Sequence, residues 1–478
     1  MSQPKHYLSH LKKFNTLSRV CSINFFIFPD RIIFFSLIFI AAFIGYFLVG
    51  TVHCNVAFSN YAYASEKVLS LNDCLKLGMA NNPKLTSAKF MIDAAQEELN
   101  AAKADFLPSV NAGANYNNIN SIDASGPTDM DYLDQQNTNY NIGISQTLYA
   151  GNRIVNSRDR AVERKKMFIE DKAYTQAELA YQIKSVYFQL MKAKQDVQIG
   201  IDTVKRLEAD SKAVKAFYAK EMAAYAQVLQ AEVDLADAKQ QLSRVKNTVD
   251  RKRADIFVLM NQPFNPDITF SGGLNYYGKG FKMTAEQCLA KAIASRPDLK
   301  SMDHQIIMHE KDMELAEGKY HPVVKLNAGY YDQDKDYDNY HASNQENTYW
   351  SAGVNLSWNL FDGGRAWYEK NRSKIDIKRI KEQVKDIKSR IEAGIITALL
   401  SLSEAEERIK ATADSINAAK EYHDMESKRF QAGIATISSV LDAQVRVTRA
   451  HSNYNQALLD YQLARADLDF LTGSAVGE

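Results

Sequence analysis

Four segments of the chain alternate apolar and polar residues with a period of two, the pattern of β-strands with one apolar face. In the most regular segment Trp350, Val354 and Leu356 lie on one face, and small uncharged residues lie on the other. Each segment has about 10 residues or more, which is the length of a membrane strand. The apolar positions are Val110, Ala112, Ala114 and Tyr116; Tyr140, Ile142, Ile144 and Leu148; Val324, Leu326, Ala328 and Tyr330; and Trp350, Ala352, Val354, Leu356, Trp358 and Leu360.

A half-buried sheet in a water-soluble protein would show the same alternation. Two features favour a membrane: the polar faces are small and, apart from Lys325, uncharged, and the four strands lie within otherwise helical sequence. Aromatic residues near strand ends are typical of membrane interfaces. Those residues are Tyr116, Tyr140, Trp350 and Trp358. The pattern therefore predicts four membrane strands.

Most of the remaining sequence has apolar residues at every seventh position, which predicts long helices packed in left-handed coiled coils. Heptad series begin at Ile183 and Val228 in the first half of the chain and at Ile395 and Val440 in the second half. Residues 154–218 contain no proline, so they predict one helix on the order of 100 Å long. A ladder of small residues indicates close helix packing, and it consists of Ala443, Ala450, Ala457 and Ala464.

The order of these patterns occurs twice. Cys288 follows Cys74 by 214 residues, and Pro297 follows Pro83 by the same distance. Sequence similarity continues between the halves, with LYAGNR from residue 148 matching LFDGGR from residue 360. We therefore predict two structural repeats, 65–272 and 273–478, each with a short helix, a second helix, two strands and two long helices. Length alone would suggest about three domains.

The N-terminal segment has the features of an export signal. Basic residues precede an uncharged run at 32–50, and Ala62-Tyr63-Ala64 has the spacing of a cleavage site. We predict a long signal peptide at residues 1–64. A retained membrane anchor is the alternative, because the uncharged run is long enough to cross a bilayer.

Composition excludes several function classes. The 58 Lys+Arg residues balance 57 Asp+Glu residues, which argues against a nucleic-acid partner. A mean hydropathy of −0.35 excludes a chain made mostly of membrane-spanning helices. Cys74 and Cys288 remain after the predicted leader, and two cysteines in a chain of this size make no disulfide framework.

The sequence shows no catalytic constellation. A phosphate loop and a nucleophile elbow are both lacking, so we predict neither an enzyme nor a cofactor. His304 and His309 are five residues apart, which is the wrong spacing for one helical face. The alternating aspartates of YDQDKDYDNY, from Asp332 to Asp338, lack the glycine and glutamate of a calcium loop, and they predict an acidic hairpin tip.

Four strands cannot close a barrel, because the smallest natural membrane barrels have about eight. Open strand edges cannot face lipid, since unpaired backbone groups there are costly. Several chains must therefore share one barrel. Two copies would supply eight strands and three would supply twelve, and the physical argument permits either.

Several motifs resemble those of the TolC family of outer-membrane efflux and secretion duct proteins. They are FLP and YHP before the first strand of each repeat, LYAGNR and LFDGGR after the second, and RFQAGIATISSVLDAQ from residue 429. The resemblance covers about residues 68–473. It implies an α+β membrane protein that forms a homotrimer in the outer membrane of a Gram-negative bacterium. A twelve-stranded β-barrel would continue into a long coiled-coil α-barrel that extends into the periplasm.

The resemblance also implies a function and partners. The chain would be the passive exit duct of a tripartite efflux pump or a type I secretion system, opened at its periplasmic tip when an adaptor docks. Its partners would be a periplasmic adaptor (membrane fusion) protein, an inner-membrane ABC or proton-driven transporter, and outer-membrane lipid, without nucleic acid. The alternative is a periplasmic coiled-coil structural or adaptor protein anchored in the inner membrane.

Candidate site residues follow from the same motifs. The acidic pore-constriction positions of the family fall on Ser439 and Asp442, and its nearby arginine position falls on Ala435. Asp442 could equally be an ordinary solvated helix charge. Gly433 is expected at the helix turn of the gate, with Lys220 as its counterpart in the first repeat. The strand-to-helix turns are expected at Gly151, Gly363 and Gly364.

Overall fold

A computed structural model describes residues 68–123, 131–276, 278, 283–337 and 345–473. These residues belong to the second of two compact units, Glu66–Glu478. The predicted signal peptide at residues 1–64 lies outside the described residues. None of the helices formed by the described residues combines the length and the apolar character needed to cross a membrane.

One order of elements occurs twice along the described residues: a two-residue strand, two helices, two long strands and two helices. In the first repeat these are β1 Val68–Leu69, α1 Leu71–Asn81, α2 Pro83–Ala104, β2 Ser109–Asp123, β3 Asp131–Tyr149, α3 Arg153–Tyr218 and α4 Tyr225–Leu259. In the second they are β4 Thr269–Phe270, α5 Ala285–Ser295, α6 Pro297–Glu317, β5 Val323–Tyr337, β6 Gln345–Ser357, α7 Arg365–Gln431 and α8 Ile437–Leu471. A 3-10 turn, Gly318–Tyr320, follows α6.

Prolines set the boundary between the two short helices of each repeat. Asn82 ends α1 in an extended conformation, and its side chain accepts a hydrogen bond from the Lys84 N–H at 2.9 Å as the N-cap of α2. Pro83 occupies the first position of α2, where its missing N–H has no cost. Arg296 and Pro297 take the same two places in the second repeat. The proline of each repeat therefore separates its two short helices.

The four long strands form one antiparallel sheet in the order β2-β3-β5-β6. Apolar residues pair across it on one face, as in Val324 with Leu356 and Tyr330 with Trp350. The intervening pair, Lys325 with Asn355, lies on the polar face. Both faces are largely exposed within one chain, and 79% of the Trp350 surface is accessible.

The strands differ from prediction at their ends. β6 stops at Ser357, so Trp358 and Leu360 lie beyond the strand that was predicted to contain them. The reason is that Ser357 pairs with Val323, and the preceding Pro322 has no N–H to continue the ladder. A register shift in the pairing of β3 with β5 falls between Thr147 and Tyr149.

At the ends that face the β2–β3 and β5–β6 connections, the strands are longer than predicted. β2 has 15 residues and β3 has 19. Asp332 and Asp334 consequently lie inside β5, and Asp332 accepts a hydrogen bond from Thr348 of β6 at 3.2 Å. Most of the acidic segment predicted as a hairpin tip is therefore strand. A membrane strand needs only about 9–11 residues, so this sheet is long enough to continue beyond a bilayer. Residues 338–344 lie outside the described part.

The heptad patterns correspond to closely packed helices. α3 has 66 residues and α7 has 67, so each is on the order of 100 Å long at about 1.5 Å per residue. The predicted alanine ladder of α8 is buried throughout, with Ala443 and Ala457 fully inaccessible. α8 packs against both α7 and α3, whereas α4 packs mainly against α3.

The prediction for α4 was less accurate. Only Val228, Ala231 and Ile256 of its predicted apolar positions are buried. Leu235 and Leu242 remain half-buried, since within the described chain the other side of α4 has few contacts.

Tight left-handed turns connect the sheet to the long helices. Gly151 and Asn152 before α3 have φ of 62° and 61°, and Gly363 and Gly364 before α7 have φ of 71° and 83°. Glycine tolerates this region best. The Asp362 carboxylate accepts hydrogen bonds from the N–H groups of Gly364 and Ala366, each at 2.9 Å. These bonds lower the pKa of Asp362.

The two glycine turns differ in the space around them, which gives a matched test. A Cβ at Gly151 would lie 2.4 Å from the carbonyl oxygen of Gly318, whereas a Cβ at Gly363 would meet nothing within 4 Å. Gly363→Ala should cost only about 1–2 kcal/mol for the left-handed backbone. Gly151→Ala should lower the free energy of unfolding distinctly more, as measured by urea unfolding of the detergent-solubilised chain. Equal decreases in the two variants would contradict the close contact between residue 151 and Gly318.

Candidate functional site

The two helical hairpins end in turns of the same shape. Gly433 has φ of 73°, and its N–H donates to the carbonyl of Phe430 at 2.9 Å. In the first repeat Glu221 has φ of 61° and donates to Tyr218 at 2.9 Å. The structural counterpart of Gly433 is therefore Glu221, and the predicted counterpart Lys220 was one residue off. The first turn is equally sharp, although a left-handed glutamate is less favourable there than glycine.

An apolar cluster joins the two hairpins near these turns, which we call the tip (residues 207–231 and 423–444). Phe217 of α3 packs edge-to-face on Phe430 of α7, with ring centroids 5.1 Å apart. Val214, Ile437 and Val440 are buried in the same cluster, each at most 1% exposed. The two hairpins thus form one packed unit at the tip.

Ser439 and Asp442 lie one helical turn apart on α8. The Ser439 hydroxyl is 3.4 Å from that of Thr436, the N-cap residue, so it takes part in the helix start. Asp442 is exposed. Across the groove from it, α4 carries Asp234 and Asp237; burial first, and then the Asp237 and Asp442 charges, raise the pKa of Asp234. The acidic surface predicted from Asp442 alone therefore includes two more carboxylates.

Asp234 and Asp237 line a groove of about 810 Å³ between α3, α4 and α8. Polar contacts join the two hairpins at and beside this groove. Arg206 donates to the Gln444 side chain at 3.3 Å, and the hydroxyls of Thr203 and Thr448 are 3.1 Å apart. Gln444 is only 2% exposed. These two contacts join α3 of the first hairpin to α8 of the second.

A charged pair also lies at the tip, but not where the family motif places it. Ala435 occupies the family's arginine position and offers no charge. Arg429, six residues earlier, donates to Glu426 at 2.8 Å, and Glu426 is 4% exposed. The pair is therefore internal to α7 and does not join two hairpins.

A second polar pair lies between α3 and α7. Asp210 and His423 are partly buried, and neither the Asp210 Oδ2 atom nor the His423 Nε2 atom has a hydrogen-bond partner within the described residues. Burial is the largest effect and raises the pKa of Asp210, while the neighbouring His423 and Arg206 act in the opposite direction. Sequence reasoning missed both residues, because no local motif links positions on different helices.

The remaining candidates have structural roles. His304 bonds to Glu163 at 2.6 Å and His309 lies 3.4 Å from Asp312, so each histidine faces a carboxylate. Among the described residues no group of three or more potential metal ligands occurs. Cys74 is fully buried, and burial raises its pKa to about 12. It is therefore an unreactive packing residue.

The fold and tip define a class: a channel subunit whose membrane-type sheet continues into long coiled coils. A family model for the outer membrane efflux protein matches residues 75–262 and 288–474. The chain is 22% identical over 392 residues to the outer membrane protein TolC of Vibrio cholerae, covering 80% of this chain and 86% of that protein. It is 21% identical to the pyoverdine export outer membrane protein OpmQ of Pseudomonas aeruginosa, covering 78% of each.

The solved structure of the outer-membrane channel OprN has the same fold, with a TM-score of 0.74 at 16% identity, covering 85% of this chain and 90% of that chain. The chain belongs to the outer membrane efflux protein family, also called the TolC family. It is a protein of the Gram-negative outer membrane that extends into the periplasm, and its family consists of passive channels rather than enzymes.

The raised pKa of Asp210 predicts a pH effect at the tip. Burial disfavours the ionised carboxylate and therefore destabilises the folded tip. This destabilisation is complete at pH values above the folded-state pKa, and it disappears as the pH falls toward the unfolded-state pKa of 3.8. Asp210→Asn should therefore slow hydrogen exchange of the tip at about pH 7, and the difference from wild type should narrow as the pH falls. Asp414→Asn, an exposed change on α7, is the control. A difference that stays constant with pH would contradict this assignment.

Proposed function

We propose that three copies of this chain form the outer-membrane exit duct of a tripartite efflux pump or a type I secretion system. The observation that carries the proposal is the four-stranded sheet with free edges at β2 and β6, joined directly to two long helical hairpins. Three sheets supply a twelve-stranded β-barrel with an open lumen. The helices of three chains continue it as a coiled-coil α-barrel through the periplasm.

The outer sides of α4 and α7 support contact between neighbouring chains. Val233 of α4 and Leu400 of α7 are 58% and 67% exposed in the single chain. α4 and α7 flank the central pair α3 and α8, so α4 of one chain would meet α7 of the next. This arrangement would also bury the half-exposed heptad positions of α4.

The two repeats are best explained by an internal duplication into units 65–272 and 273–478. The family model matches the chain twice, once in each unit, and the element order is the same in both. Residues 1–64 would be the signal peptide that directs the chain to export.

The duct would be passive and would be closed at the tip. Separation of the α7–α8 hairpin from α3 requires the loss of contacts such as Arg206–Gln444 and Thr203–Thr448, which water can replace at small net cost. Docking of a periplasmic adaptor would supply that energy. An inner-membrane ABC or proton-driven transporter would deliver the cargo. Gly433 would form the turn of the moving hairpin, and Asp442 and Ser439 would face the constriction.

The alternative, an inner-membrane-anchored periplasmic coiled-coil adaptor, leaves the four long strands without a role. Its distinguishing feature would be a mature chain that still begins near residue 1. Membrane fractionation with N-terminal sequencing separates the two proposals.

Single-channel recording of Asp442→Asn tests the duct. Three copies of the carboxylate would attract cations at the constriction, so the substitution should lower the cation-to-anion permeability ratio by roughly twofold or more. Asp414→Asn removes an exposed α7 carboxylate and should leave the ratio unchanged. An unaltered ratio in Asp442→Asn would remove Asp442 from the constriction, and the absence of channels from wild-type protein would refute the duct.

A further inference from the structure

A pocket of about 670 Å³ lies where the sheet meets the helices, remote from the tip. It is bounded by the start of β5, the end of β6 and the first residues of α3 and α7. Three cationic side chains line it, Arg153, Lys319 and Arg365, against one carboxylate, Asp362. The lining also includes His321.

Two of the cations are available to a ligand. Arg365 is exposed, and among the described residues its guanidinium has no side-chain hydrogen bond or ion pair. Arg153 donates through Nε to the Ala150 carbonyl at 2.9 Å, which leaves its terminal amino groups for another acceptor. Lys319 is paired with Glu369. The Asp362 carboxylate already accepts two backbone N–H groups, so it does not neutralise both arginines.

The two arginines do not stabilise the helices that carry them. Arg153 and Arg365 are the first residues of α3 and α7. A positive side chain at a helix N-terminus is unfavourable, because the helix dipole is positive at that end. Arg153 and Arg365 thus add positive charge beside two helix N-termini.

The pocket lies on the polar side of the sheet. Val323 and Ser357 line it and pair directly with each other across β5 and β6. Their side chains therefore point to the same side as the Lys325–Asn355 pair, and opposite to Val324. In a barrel built as proposed above, that side is the lumen.

The equivalent junction of the first repeat has a different charge pattern. It keeps an arginine, because Arg153 stands at the position of Arg365, but Asp105 and Leu107 stand at the positions of Lys319 and His321, and Ala150 stands at the position of Asp362. Lys319 and His321 are therefore specific to the second junction rather than a requirement of the architecture.

We propose that this pocket binds the oxyanion group, a carboxylate or a phosphate, of anionic solutes that pass through the duct. Arginine suits both groups because its guanidinium can donate two parallel hydrogen bonds. The three pockets of a trimer would form a ring of anion sites between the helical and the barrel segments. This proposal rests on the proposed duct for its place in transport, but not for the binding itself.

Isothermal titration of the detergent-solubilised full chain with citrate and, separately, with inorganic phosphate tests the binding. Wild-type protein should bind at least one of the two anions. Arg365→Gln should weaken that binding by about tenfold or more, which is about 1.4 kcal/mol. Arg372→Gln, seven residues further along α7, removes the same charge outside the pocket and should leave binding unchanged. Arg153→Gln should repeat the effect of Arg365→Gln.

Current block by the same anions in planar bilayers, at constant ionic strength, tests the role in the duct. The half-blocking concentration should rise for Arg365→Gln and not for Arg372→Gln. No binding of either anion by wild type, or equal weakening by Arg365→Gln and Arg372→Gln, would overturn the proposal. Binding by a wild-type protein that forms no channels would refute the duct and leave the anion site intact.

Discussion

The free edges of the four-stranded sheet are the constraint on which the rest of the structure depends. β2 and β6 each leave a row of backbone groups unpaired within the described chain, and in lipid each such group costs several kcal/mol. In the proposed trimer, closure comes from other copies of the chain. Because tight turns with glycines at Gly151 and Gly364 precede α3 and α7, closing the sheet would also fix which helices of adjacent chains meet.

Much of this fold could be predicted because its signals are local. Period-two alternation identified all four long strands, heptads identified the long helices, and Pro83 and Pro297 marked helix boundaries. The ends of the strands could not be predicted from alternation. β6 stops at Ser357 because its partner strand begins after Pro322, and that limit depends on pairing between distant residues.

The candidate site was less accessible to sequence reasoning. A motif led to Gly433 and Asp442, yet the left-handed Glu221 and the carboxylate of Asp234 emerge only when the hairpins are placed side by side. Contacts between residues more than 200 positions apart in the sequence, such as Arg206 with Gln444, likewise become visible only in the folded chain. The basic pocket at the sheet-helix junction likewise joins residues from both repeats, and no single motif contains it.

Cross-linking of the sheet edges tests the central claim most directly. Ala112→Cys on β2 would be combined in turn with Ala352→Cys, Val354→Cys or Leu356→Cys on β6, in protein from outer membranes. The native Cys74 and Cys288 are buried and give a silent background. At least one pair should yield a covalent species of three chains, whereas the single variants should not. A largest species of two chains, or no cross-link between chains in any pair, would contradict the shared twelve-stranded barrel.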